Sequence, residues 1–362
     1  MRVRTCLVSA LIISLSAVSL ALALQPPERP RDGVPAKLPP SSTAPSASAP
    51  AGPGPLRSTS DSQRLTEGAH SDRPSSEVVP GLGPIGPALK VCTGLRFAEG
   101  PAADPEGSLY FCDLAVSRIL KLDLSGQTRR IAEDSNRASG IKVNARGDLV
   151  VCESDGSVAL YSHEGKRLQT LADRYLGKPL NAPNDLVIDA VGGVYFTDPF
   201  FGRTENMRQE KQGVYYMRSA GDLARLVDDL PQPNGIALSP DEKTLYVVAT
   251  GQPRVMAYPI TAPGRIDSGR VFCMLQRSPG LGTGGGDGCT VDAQGNLYIA
   301  TMIGVQVFSP AGKLLGVIRL LEIPSNLAFG GKDYKTLFVT ARTSIYALPM
   351  LVKGHHFPAG KS

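Results

Sequence analysis

The sequence predicts an all-β chain, a six-bladed β-propeller, on three observations. A turn followed by a short apolar strand recurs six times, the copies lie 40 to 52 residues apart, and no segment carries a convincing helical period.

The copies fall at 104–111, 144–151, 189–196, 239–247, 292–299 and 331–339. The first apolar residue after each turn is Leu109, Leu149, Val194, Leu245, Leu297 and Leu337, giving spacings of 40, 45, 51, 52 and 40 residues. Periods in the forties with several strands per unit are the signature of propeller blades. Another strand follows each copy, as at 118–122 and 157–161, and a short one precedes it, as at 140–143 and 235–238. The last copy runs out near Met350, so the segment around Val91 is expected to supply its outer strand and close the ring.

Around this domain, taken as 88–350, the composition changes. Residues 1–24 read as a secretory signal: Arg2 and Arg4, then an apolar run, with Ala21-Leu22-Ala23 as a small-x-small cleavage site. This predicts an exported chain, with an uncleaved membrane anchor as the alternative. Residues 25–87 are rich in Pro, Ser, Ala and Gly and read as a disordered linker; 351–362 form a tail. The net charge of +5 is scattered, so nucleic acid is not implied. A monomer acting on a small molecule is expected. None of Cys92, Cys112, Cys152, Cys273 and Cys289 forms a Cys-x-x-Cys pair, which argues against structural zinc. Cys112 and Cys152 hold matching strand positions, open to a disulfide or to service as small buried apolar groups.

Counting back from the six anchors tests what each inner strand presents to the axis. Ten residues before the anchor, or eleven where the turn is one longer, stand Glu99, Ser139, Asn184, Asn234, Asp287 and Asn326, all with oxygen-bearing side chains. Equivalent inner-strand positions converge on one mouth of the central channel. Glu99, Asn184, Asn234 and Asp287 then offer two carboxylates and two amide carbonyls, hard donors suited to one Ca2+, Mg2+ or Mn2+ ion, and less to Zn2+. Asn and Asp are also ordinary turn residues, but all six positions are polar.

At these residues the chain resembles the SMP-30/gluconolactonase/luciferin-regenerating enzyme family. The likeness is carried by Ala98-Glu99-Gly100-Pro101, Asn181-Ala182-Pro183-Asn184-Asp185, Phe196-Thr197-Asp198-Pro199, Pro233-Asn234-Gly235, Gly286-Asp287-Gly288 and Phe329-Gly330-Gly331-Lys332. It implies one divalent cation, Ca2+ first, on Glu99, Asn234 and Asp287, with Asn184 beside metal and substrate. Gly286 stands where family members have Pro, within a flexible run from Gly282. Ser139 stands where many have Asn, and Ala182 where sugar-lactonase members carry Arg.

The resemblance implies a metal-dependent hydrolase that opens a lactone, sugar lactone or gluconolactone-like, by metal-activated water. Asp287 is expected to accept the proton, with Asp185 as the second choice, and Asn184, Phe200 and Ser139 to touch substrate. Phe200 and Phe201 read equally as an apolar wall or as blade core. His70, His163, His355 and His356 are expected to be solvated, leaving no imidazole for a triad. The rivals are a non-catalytic extracytoplasmic propeller that binds a protein or glycan around a structural ion, and a metal-dependent ester or phosphotriester hydrolase.

Overall fold

The computed structural model describes residues 78–277 and 284–356. The expected signal at 1–24, the linker as far as residue 77, Gly282 and Thr283, and the tail from 357 lie outside them. Among the described residues, helix is confined to two short 3-10 turns, and no helix is long and apolar enough to cross a membrane.

Six antiparallel sheets form the blades of the propeller. Their inner strands are Ala98–Ala103, Ala138–Val143, Leu186–Ile188, Pro233–Leu238, Gly286–Val291 and Asn326–Gly330. The second strands begin at Leu109, Leu149, Val194, Thr244, Leu297 and Thr336. Each blade has four main strands, one more than the repeat suggested. The outer strands were hidden because they are half-exposed and polar, as in Thr128–Ala132. The recurring turn has a local cause. Asp104, Asn144, Asp189 and Asp292 accept the backbone N–H four residues on, at 2.7 to 3.0 Å, while Gly107, Gly147, Gly192 and Gly295 take positive φ. In the two longer turns Glu242 and Tyr334 hold the left-handed position instead.

The core is divided into six apolar clusters, one between each pair of adjacent blades. Second strands are therefore buried on both faces, which is why they read as continuous apolar runs rather than alternating ones. The five cysteines among the described residues are all free. Cys112 belongs to the cluster between blades one and two and Cys152 to that between two and three, so they serve as buried apolar groups.

Leu89–Thr93 pairs antiparallel with Ser344–Pro349 as the outer strand of blade six, matching Leu89 to Ala347. The linker boundary at 87 is corrected: Val79 and Leu82 are buried in the cluster between blades five and six, and Ile85 N–H donates to the Pro349 carbonyl. The tail also packs. Val352 is buried, Gly354 bridges Asp292, and His355 N–H donates to the Val291 carbonyl. The expectation that His355 is solvated is corrected on the same ground, its side chain being half-buried.

Glu322 fastens the closure. Its carboxylate accepts from Lys90 at 2.7 Å on the first strand, from Thr343 N–H and Thr343 Oγ1 in the turn before the last strand, and from Ser344 Oγ and Tyr346 OH on it. Partial burial opposes its ionisation, but the bonds from Lys90, Ser344 and Thr343 outweigh it and hold the carboxyl down at about 2. A depressed folded-state pKa contributes stability that is present above the unfolded value near 4.5 and lost as pH falls toward 2. Glu322→Gln is expected to lower unfolding free energy by about 1–3 kcal/mol at pH 7. In chemical denaturation across pH, that gap should narrow below pH 4.5; a gap unchanged down to pH 2 would contradict an ionised latch.

Candidate active site

Each inner strand reaches the channel mouth through a tight local device. In blades one, two, four and five the pairing register shifts within Glu99/Ala102, Ala138/Ile141, Pro233/Ile236 and Gly286/Cys289. Such bulges re-aim side chains. In the same four blades a glycine follows the channel-facing residue: Gly100, Gly140, Gly235 and Gly288. A Cβ on Gly100 would meet Ser139 O at 1.7 Å; on Gly140, Asn184 O at 2.7 Å; on Gly235, Asp287 O at 2.3 Å; on Gly288, Asn326 Cγ at 2.1 Å. Every one of these contacts falls on the site residue of the next blade. Blades three and six pair without the shift and carry Asp185 and Leu327 instead.

The residues so gathered are mostly buried. Glu99 is 5 % exposed, Asn234 3 %, Asp185 1 % and Asn326 3 %. Burial, and then the charge of Asp287, push the Glu99 carboxyl well above its usual value. Burial pushes Asp287 up to about 7, against a hydrogen bond from Asn234 and the nearby Arg342 guanidinium. Arg342 stacks over Phe97, 5.3 Å from the ring centroid. Asp185 is raised by burial and held back chiefly by Lys142. Its Oδ1 accepts from Leu186 N–H at 2.9 Å and its Oδ2 from Asn326 Nδ2 at 3.5 Å.

A second layer fixes the loops that lead into these strands. Asp113 accepts from Arg96 and Phe97 N–H just ahead of Glu99. Asp198 accepts from Asn181 and Ala182 N–H just ahead of Asn184, and burial raises it to about 7 against those two bonds. Thr197 Oγ1 receives Asp185 N–H and donates to the Asn234 carbonyl, while Asn234 Nδ2 donates to Thr250 Oγ1 at 2.8 Å.

Glu99, Asn234 and Asp287, which the register count selected, thus come together with Asp185, which the Asn-Asp motif had singled out. Asn184 is half-buried, with its carbonyl bonded to Gly140 N–H at 2.7 Å. Ser139 is 1 % exposed, set behind Gly100. Phe200 and Phe201 are half-buried, and the core aromatic of that blade is Phe196, stacked on Tyr215. The count had reached Asn326 without giving it a role. Lys142, Arg342 and Asp198 went unrecognised. For Lys142 a signal existed: it stands between the apolar Ile141 and Val143, which face one blade cluster, so alternation turns Lys142 to the opposite face, toward Asp185 of blade three.

Among the described residues no three of His, Cys, Asp or Glu are gathered as a metal-holding group. The candidate donors are two carboxylates, the buried Glu99 and the half-buried Asp287, with the amides Asn184 and Asn234. Two like charges taken out of water side by side call for a cation, and the all-oxygen set fits a hard divalent ion.

Residues 97–343 match the family described as the SMP-30/Gluconolactonase/LRE-like region. A gluconolactonase of Zymomonas mobilis is 30 % identical over 289 residues, 72 % of this chain and 80 % of the relative. Lactonase drp35 of Staphylococcus saprophyticus is 31 % identical over 236 residues, 61 % and 69 % of the two chains. The solved structure of a gluconolactonase from Xanthomonas campestris superposes with a TM-score of 0.66 at 31 % identity, covering 73 % of this chain and 89 % of that one.

The glycine contacts carry their own test. Gly235→Ala should lower stability by about 1–3 kcal/mol, because the methyl meets main chain of blade five rather than a movable side chain. Thermal unfolding checks it, and an unchanged midpoint would mean that the blades can part at this level without cost.

Proposed function

The chain belongs to the SMP-30/gluconolactonase/LRE-like family, and we propose that it is a lactone hydrolase whose catalytic centre is the cluster at the channel mouth. The observation that carries this reading is the convergence of the buried Glu99 with the half-buried Asp287, whose negative charge beside Glu99 calls for a cation. The relatives named gluconolactonase and lactonase support it.

Glu99, Asn234 and Asp287 would hold one divalent ion, Ca2+ first, with Asn184 beside it. A bound ion supplies Lewis-acid stabilisation of charge on the lactone carbonyl oxygen and makes water more acidic. The chain's own residues do the rest. Asp287 takes the proton of the attacking water. Asn184 offers an amide to the substrate and cannot act as a base. Phe200, whose N–H is pinned by Gln212 Oε1 at 2.8 Å, stands in the loop after the Thr-Asp-Pro motif as an apolar wall. Thr197 and Asp198 hold the loop that aims Asn184 and Asp185.

Hydrolysis of a panel of sugar lactones, followed by acid release with Ca2+, Mn2+ or Zn2+ added and after chelation, tests the reading. Asp287→Asn keeps the volume and an oxygen donor but removes the basicity. It should lower kcat by at least about 100-fold with metal saturating. Near-normal turnover of Asp287→Asn would reduce Asp287 to a ligand and pass the base to Asp185. A wild-type chain inactive on every lactone but active on simple esters or phosphotriesters would shift the substrate class, not the site.

A further inference from the structure

Below the candidate ligands the channel holds a third carboxylate, Asp185, whose environment differs from that of Glu99 and Asp287. Lys142 approaches it from the opposite end, with Nζ 4.0 Å from Asp185 Oδ1. Among the described residues this is the only ion pair reaching any of the three carboxylates. The lysine side chain keeps 26 % exposure because its stem lines a cavity of about 90 Å3 at that far end. Val143, Ile188, Phe329, Tyr334 and the tail residues His355 and His356 also line it. Both oxygens of Asp185 are already engaged, Oδ1 by Leu186 N–H and Lys142 and Oδ2 by Asn326 Nδ2.

A buried carboxylate one residue from Asn184 would otherwise be a strong ligand for any divalent ion nearby. We propose that Lys142 is a positioning residue that holds Asp185 off the ion, so that two carboxylates, Glu99 and Asp287, take the ion rather than three. Lys142 acts from below, whereas Arg342 lies by Phe97, next to the start of the first inner strand. The pairing leaves Asp185 unligated and next to Asn184, and it keeps the site from binding its ion too tightly. This inference rests on Glu99 and Asp287 being ligands.

Calorimetric titration of the full chain with CaCl2 tests it, comparing wild type, Lys142→Met and Lys142→Arg. Freed from its partner, Asp185 should join the ligand set, so Lys142→Met is expected to bind Ca2+ at least ten-fold more tightly. Lys142→Arg, which restores the charge, should stay within three-fold of wild type. If Lys142→Met is too unstable without ion for calorimetry, the rise of its Tm with Ca2+ gives the same comparison. Wild-type affinity or weaker in Lys142→Met overturns the proposal, as does tight binding by Lys142→Arg. A wild-type chain that binds no divalent ion overturns the metal site itself, and this inference with it.

Discussion

Six strands can meet around an axis only if something small stands between them, and in this protein that something is bare main chain. Where Gly100, Gly140, Gly235 and Gly288 press against the site residue of the next blade, no room exists for a methyl group. The close approach sets the bore of the channel, and the accompanying bulges turn Glu99, Asn234 and Asp287 toward its centre. Without those contacts the carboxylates would stand apart, each free to find water. Crowding at the axis is thus what makes a group of acids chemically unusual.

The apolar core, by contrast, lies away from the axis, in wedges between the blades. This division explains why the fold was legible in the sequence. Each wedge needs an apolar second strand and a sharp turn before it, and those requirements repeat six times. Leu109, Leu149, Val194, Leu245, Leu297 and Leu337 could be found with no knowledge of contacts, and all are buried. The outer strands of the first five blades were not legible because they are half-exposed and polar, nor were the packed ends, Val79 and Leu82 among them, because they answer to neighbours distant in sequence rather than to a period.

At the site the position was readable and the partnership was not. Counting back from the anchors found the six inward residues because propeller symmetry fixes where they stand. That Asp185 would pair with Lys142 depends on side-chain reach across blades, and that Asp198 would tie down the Asn181 loop depends on reach within one. The Phe-Thr-Asp-Pro run was visible as a motif, but its service as a brace for two adjoining blades emerges only from Thr197 bonding both Asp185 and Asn234.

The pairing of Leu89 with Ala347 has a consequence for how the molecule comes into being. The strand that completes blade six is made before any blade exists, and it waits for its partner until the other five blades have been made. Contacts of such long sequence separation slow folding, and an unpaired strand edge invites other chains. The waiting strand is short, and Lys90 within it is charged. That charge, later spent on Glu322, is well placed to keep neighbouring chains apart during the interval, so one side chain serves first as a guard and then as a fastener.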